Sequence, residues 1–200
     1  MSARPFLITG LPRSRTAWMA AFMSTGSVLC KHEPIKALYD ISDLPATLES
    51  EYHSHMGASD SGAGFFMPWI MENIDPPTVV IERDVDDVRD SLDAIDLPMG
   101  EALDVLLDKL HAYKNHPRVL WVTFDSLNDK RIMQKIWFHL VPGVPFDDER
   151  YEQFNEFRIE ADVAEVKRFA LLNQERQSHM LAGAISLFKG NPSCLGSVQQ

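Results

Sequence analysis

Short apolar runs, each closed by turn residues and followed by a helical repeat, constrain this chain most. Phe6-Leu7-Ile8-Thr9 ends at Gly10, Thr78-Val79-Val80-Ile81 ends before Asp84, and Val119-Leu120-Trp121-Val122 ends before Asp125. A run that is apolar on both faces suits a strand buried between two layers. The segments that follow change period. Trp18, Ala21 and Phe22 share a helical face, and so do Val85, Val88, Leu92 and Ile95. Asp84 and Asp125 stand where a helix cap is needed, the second for a helix running to about Leu140. Ser27 to Lys31, closed by Pro34, reads as a further strand. Apolar strands alternating with amphipathic helices predict an α/β fold with a central, mostly parallel sheet flanked by helices.

Between these units the pattern is weaker. Residues 44–53 read as a helix. Gly57-Ala58-Ser59-Asp60-Ser61-Gly62-Ala63-Gly64 reads as a flexible loop, a candidate lid or substrate loop. Phe65 to Asn73 reads as a short buried helix interrupted by Pro68, and Met99 to His116 as another helix. Pro142 and Pro145 bracket a loop, and a mainly helical part follows from about residue 147. A length of 200 residues predicts one domain spanning 1–200.

The net charge of −10 argues against nucleic acid as a partner, because phosphate backbones need a basic surface. The charge is uneven. Up to residue 36, Arg4, Arg13, Arg15, Lys31 and Lys36 face only Glu33. Such an island can focus one small anion on an otherwise acidic protein. The longest uncharged apolar stretch, Gly62 to Met71, is too short to span a bilayer, so no membrane partner is expected. Cys30 and Cys194 cannot make a disulfide framework or a four-cysteine zinc site, and a reduced, cytoplasmic setting is the expectation.

In open parallel sheets, ligands bind beyond the carboxyl ends of the strands. The first strand end carries Gly10-Leu11-Pro12-Arg13-Ser14-Arg15-Thr16. A Walker A loop needs Gly-x4-Gly-Lys-Ser/Thr, but counting from Gly10 puts Arg15, Thr16 and Ala17 at the last three positions. The absent lysine removes support for ATP or GTP hydrolysis. The parts of an anion cradle remain: a helix amino end, two arginines and the Ser14 and Thr16 hydroxyls.

Pro12-Arg13-Ser14-Arg15-Thr16-Ala17-Trp18 resembles the Pro-Lys/Arg-Ser-Gly-Thr-Thr/Ser-Trp loop of sulfotransferases that use 3′-phosphoadenosine 5′-phosphosulfate (PAPS). Val79-Val80-Ile81-Glu82-Arg83-Asp84-Val85-Asp86-Asp87-Val88-Arg89-Asp90-Ser91-Leu92 is similar to that family's strand–Arg–Asn-Pro–x–Asp–x3–Ser–Leu stretch. The resemblance implies a P-loop NTPase-like three-layer fold. It implies that Pro12, Arg13, Ser14, Arg15, Thr16, Ala17 and Trp18 hold the 5′-phosphosulfate and adenine, with Trp18 stacking on the base. It makes Arg13 the group that stabilises the bridging oxygen as the sulfuryl leaves, and Arg83 and Ser91 a clamp on the 3′-phosphate. The departure is Arg15, where the family has glycine, a residue that takes φ > 0 cheaply. Phe188-Lys189-Gly190 is a faint echo of a C-terminal loop that also grips the 3′-phosphate, and Phe124-Asp125-Ser126-Leu127 resembles a structural turn. No metal is implied.

Sulfuryl transfer needs a base for the acceptor's proton. Glu33 in Cys30-Lys31-His32-Glu33-Pro34-Ile35 looks like the Glu-Pro segment of small bacterial-type members, which would place it beside the phosphate loop. His53 and His55 fit a base, part of a metal site or a solvated helix end. The acceptor is expected to be a small molecule or glycan carrying a hydroxyl or amine. Two other functions share the same fold: a catalytically silent nucleotide-binding or interaction module, and a small-molecule kinase, which the missing lysine disfavours.

Overall fold

The computed structural model describes residues 3–156. The strands are β1 (Arg4–Gly10), β2 (Val28–His32), β3 (His55–Ser59), β4 (Thr78–Glu82) and β5 (Val119–Thr123). The helices are α1 (Thr16–Met23), α2 (Leu44–Thr47), α3 (Met67–Asn73), α4 (Val85–Asp93), α5 (Glu101–His111), α6 (Lys130–Leu140) and α7 (Asp148–Glu156). Every strand pairing is parallel, and the order is β2-β3-β1-β4-β5. This is the α/β architecture that the alternation of runs predicts.

Alternation along each strand divides the core between the two sheet faces. Phe6, Ile8, Val79, Ile81 and Val122 pack with Met19 and Phe22 of α1 and with Met133, Ile136 and Trp137 of α6. Leu7, Met56, Ala58 and Val80 pack with Ile70 of α3, Val88 of α4 and Leu103, Leu106 and Leu110 of α5. Trp137 sits at the centre of the first cluster, its indole N–H satisfied by the Val144 carbonyl over 2.9 Å. No helix among the described residues is long and apolar enough to cross a membrane.

The tract read as a flexible loop is the main correction. His55–Ser59 is β3, buried along its whole length, and Ser61–Phe66 is a 3₁₀ helix that packs on α5. The glycines there serve close packing. Gly57 lies opposite Phe6 in the register, and a Cβ on it would meet the Phe6 ring at 2.1 Å. A Cβ on Gly64 would stand 2.4 Å from Leu106 Cδ1. Small residues therefore mark a crowded strand instead of a mobile one.

Two smaller expectations also change. The helix read over 44–53 stops at Thr47, because the Ser50 hydroxyl accepts the Tyr52 and His53 N–H groups and bends the chain locally. Asp125 opens a 3₁₀ turn, Asp125–Asn128, and the cap of α6 is Asp129, which accepts the Arg131 N–H at 2.9 Å.

One tertiary contact anchors α1, the helix that follows the loop after β1. Arg150 of α7 donates to the carbonyls of Ala21, Phe22 and Ser24 over 2.6, 2.9 and 2.8 Å. It fills the carboxyl end of α1, where carbonyls lack helical partners and a cation is favoured.

Candidate functional site

An all-parallel sheet brings the ends of β1 to β4 to one edge. β1 lies inside the sheet, with β3 on one side and β4 on the other, so the chain leaves it at a point where strand order reverses. Gly10 ends β1 against β4, where a Cβ would stand 2.5 Å from the Ile81 carbonyl oxygen. The loop then turns through Arg13 at φ 66° and Arg15 at φ 60°, and Arg15 becomes the cap residue of α1. Both are left-handed, a conformation that costs a side-chain-bearing residue energy. Arg15 thus holds the shape that glycine adopts freely. Its guanidinium compensates by donating to Asn128 Oδ1 at 2.8 Å and lying over the Phe124 ring at 5.0 Å. No side chain caps the amino end of α1.

The second motif meets the first here. Arg83 follows β4, and its Nη1 donates to the Arg13 carbonyl over 2.5 Å. Arg13 Nε donates to Ser91 Oγ on α4 at 3.0 Å. Arg83 also lies over Phe124, 4.6 Å from the ring centroid. Arg13, Arg83 and Ser91, separated in sequence, therefore form one hydrogen-bonded chain. Among the described residues no carboxylate forms an ion pair with Arg13, Arg15 or Arg83. Among the described residues, Arg83 Nε and Ser14 Oγ are buried without a hydrogen-bond partner. Three guanidiniums with no carboxylate partner and two unpaired polar atoms among these residues fit a phosphate-type polyanion, which takes fork donors and hydroxyls.

The other loop positions are distributed differently. Pro12 and Ala17 are half-buried, and buried Thr16 gives its carbonyl to Ser59 Oγ at 2.7 Å. Trp18 lies in the core. It stacks on Phe22 with centroids 5.2 Å apart, meets Phe154 edge-on and donates its indole N–H to the Phe154 carbonyl at 3.0 Å. This differs from the open stacking position that the resemblance implies.

Glu33 follows β2 at the same edge, but β3 stands between β2 and β1. Its position beside the loop is therefore indirect, about two strand spacings away. The link runs through Ser59: the Glu33 N–H donates to the Ser59 carbonyl at 3.0 Å, and the Ser59 hydroxyl reaches Thr16. Glu33 is also left-handed, at φ 48°. Its carboxylate accepts from Ser61 Oγ at 3.1 Å and pairs closely with Lys36. Of five non-glycine residues with positive φ among those described, three are Arg13, Arg15 and Glu33. Strained backbone of this kind concentrates at functional sites.

Behind Glu33 lies Asp60, fully buried, which accepts the Ile35 N–H at 2.9 Å and the Gly62 N–H at 2.8 Å. Burial pushes its carboxyl up to about 6, with the Glu33 charge acting in the same direction and the two N–H groups and Lys36 opposing. Asp60 was hidden by the loop reading of its tract. Its available signal was Asp two residues before Gly, the pattern of a side-chain-capped turn. Phe124 and Asn128 carried no sequence signal as partners of Arg15.

His53 and His55 lie at the opposite edge. His55 begins β3 in register with Arg4 and Val28, buried, with Nδ1 2.9 Å from Ser54 Oγ. His53 Nδ1 is 2.9 Å from Ser50 Oγ. The length of β3 separates both from the loop after β1, so neither lies where a base for chemistry at that loop would stand. Lys189 and Cys194 lie outside the described residues.

No family model and no curated protein matches the chain. Among solved structures, the mouse sulfotransferase SULT7A1 complexed with PAP is similar to it, at 14% identity and a TM-score of 0.48. The match covers 76% of this chain and 62% of that one, so the chain spans less than two thirds of that protein's length.

Proposed function

We propose that this chain is a sulfotransferase that moves a sulfuryl group from PAPS to a hydroxyl or amine of a small molecule or glycan. The observation that carries the reading is the convergence of Arg13, Arg15 and Arg83 with Ser91 at the ends of β1 and β4, with no carboxylate among the described residues ion-paired to the three arginines. PAPS supplies the sulfuryl group and a 3′-phosphate that distinguishes it from ordinary adenine nucleotides. Arg83 and Ser91 hold the 3′-phosphate. Ser14, Arg15, Thr16 and Ala17, with the amino end of α1, hold the 5′ group. Arg13 stands between the two and neutralises charge at the leaving oxygen, an effect strongest in the transition state. Glu33 takes the proton of the attacking hydroxyl or amine, and Lys36 and Ser61 fix its carboxylate. The reaction needs no metal, and a cytoplasmic setting suits the donor.

A second reading has its own observation. Trp18 is committed to Phe22 and Phe154, and Glu33 to Lys36 and Ser61. A module that binds a nucleotide anion without transferring anything would look the same. Two measurements separate the readings: calorimetric titration with adenosine 3′,5′-bisphosphate, and transfer of labelled sulfate from PAPS to a panel of hydroxylated acceptors. Binding together with transfer supports the enzyme. Binding without transfer supports the silent module, and absence of binding ends both.

A further inference from the structure

We propose that Asp60 is the positioning residue for Glu33: it fixes the Glu33–Ile35 corner from behind and directs the Glu33 carboxylate to the acceptor. This rests on Glu33 being the base. The argument begins with burial. Asp60 is the one fully buried carboxylate among the described residues. A buried carboxylate is costly unless its oxygens are bonded. Each Asp60 oxygen accepts one backbone N–H, and these come from two different segments. Oδ2 takes Ile35, two residues beyond Glu33, and Oδ1 takes Gly62, one residue beyond Ser61. Ser61 is the residue whose hydroxyl bonds Glu33 Oε1. Asp60 therefore joins the backbone of the base to the backbone of its hydrogen-bond donor.

The same bonds explain the left-handed Glu33. Its N–H is held by Ser59, and the chain two residues on is held by Asp60, so the corner is pinned on both sides of φ 48°. Asp60 is itself tied to the phosphate-loop strand, its N–H donating to the Ile8 carbonyl at 2.9 Å. One short segment, Ser59-Asp60-Ser61, thus registers Glu33 against β1.

The test is a double-mutant cycle on kcat and KM for labelled-sulfate transfer. Asp60→Asn is expected to lower kcat by about 10- to 100-fold, the scale of a misplaced reacting group, with KM for PAPS within twofold of wild type. In a Glu33→Gln background, Asp60→Asn should add no further loss, because its effect passes through Glu33. Binding of adenosine 3′,5′-bisphosphate should stay within twofold of wild type for both variants. If Asp60→Asn does not fold, Asp60→Glu, which keeps the charge and displaces both acceptor oxygens, carries the same cycle. An equal loss with and without Glu33, or a loss carried by KM, would overturn the proposal while leaving Glu33 as base. Wild-type turnover by Glu33→Gln would overturn the base assignment and Asp60 with it.

Discussion

Arg13 Nε donates to Ser91 Oγ across 3.0 Å, joining a loop residue after the first strand to a helix residue 78 positions later. Arg83 completes the link by donating to the Arg13 carbonyl. Arg83 is thus placed by backbone as well as by its own strand. Adenosine 3′,5′-bisphosphate should raise the melting temperature, and AMP should raise it much less. Arg83→Gln should weaken binding of the bisphosphate by about tenfold or more, equivalent to roughly 1.5–3 kcal/mol for a charge-assisted contact. Calorimetry with both ligands measures this, and equal affinities for the two would remove the 3′-phosphate from the site.

Arg13→Ala should reduce turnover more than donor affinity. Charge gathers on the leaving oxygen mainly in the transition state, so a group placed there changes kcat and leaves KM comparatively unmoved. Steady-state kinetics with varied PAPS checks this. A raised KM at unchanged kcat would make Arg13 a ground-state binding residue. Activity should also survive chelation of divalent metals.

Arg15→Gly should be nearly neutral for stability and harmful for binding. Relief of the left-handed conformation is worth about 1–2 kcal/mol. Against it stand the lost bond to Asn128 and the lost stacking on Phe124, each worth about 1 kcal/mol. Loss of a guanidinium beside the anion should weaken bisphosphate binding about five- to tenfold, near 1–1.4 kcal/mol. Asn128→Ala should be the more destabilising of the two for the free protein, since it leaves the strain and removes the bond.

Asp60 sets a pH dependence of stability with a definite sign. Its carboxyl is raised in the folded chain to about 6, above its ordinary value of 3.8. Below the ordinary value it is protonated in both states and its contribution is intact. As pH climbs from about 4 through 6 the unfolded chain releases the proton first, and stability falls. Subtracting the Asp60→Asn curve from the wild-type curve across this range should isolate that loss. A difference that grows in the opposite direction would mean that Asp60 is held low.

Gly57→Ala should destabilise the chain by about 1–3 kcal/mol, because its Cβ would overlap the Phe6 ring. Phe6→Leu in the same chain should recover part of the loss. Arg150→Met keeps the side-chain stem but drops three bonds to the end of α1, and should cost about 1–3 kcal/mol. Urea denaturation measures both.

The α/β class is legible in local patterns, because β1, β4 and β5 are runs apolar on both faces, followed by amphipathic helices whose period is set by local geometry. The loop after β1 and Arg83 after β4 are legible in the same way, since turn residues and charges at a strand end are local signals. The remaining features depend on contacts between distant segments. β3, His-Met-Gly-Ala-Ser, has no β-branched residue, and what lets it pair inside the sheet beside β1 is Phe6 lying on Gly57, a contact 51 residues apart. Its insertion between β2 and β1 moves Glu33 one strand further from the loop than the order along the chain suggests. Asp60 reads as a turn residue until the Ile35 and Gly62 N–H groups are seen to converge on it. Arg15 reads as a departure from a glycine until Phe124 and Asn128 are found beneath it. Each of these depends on partners brought together by folding, and no spacing within a single segment encodes them.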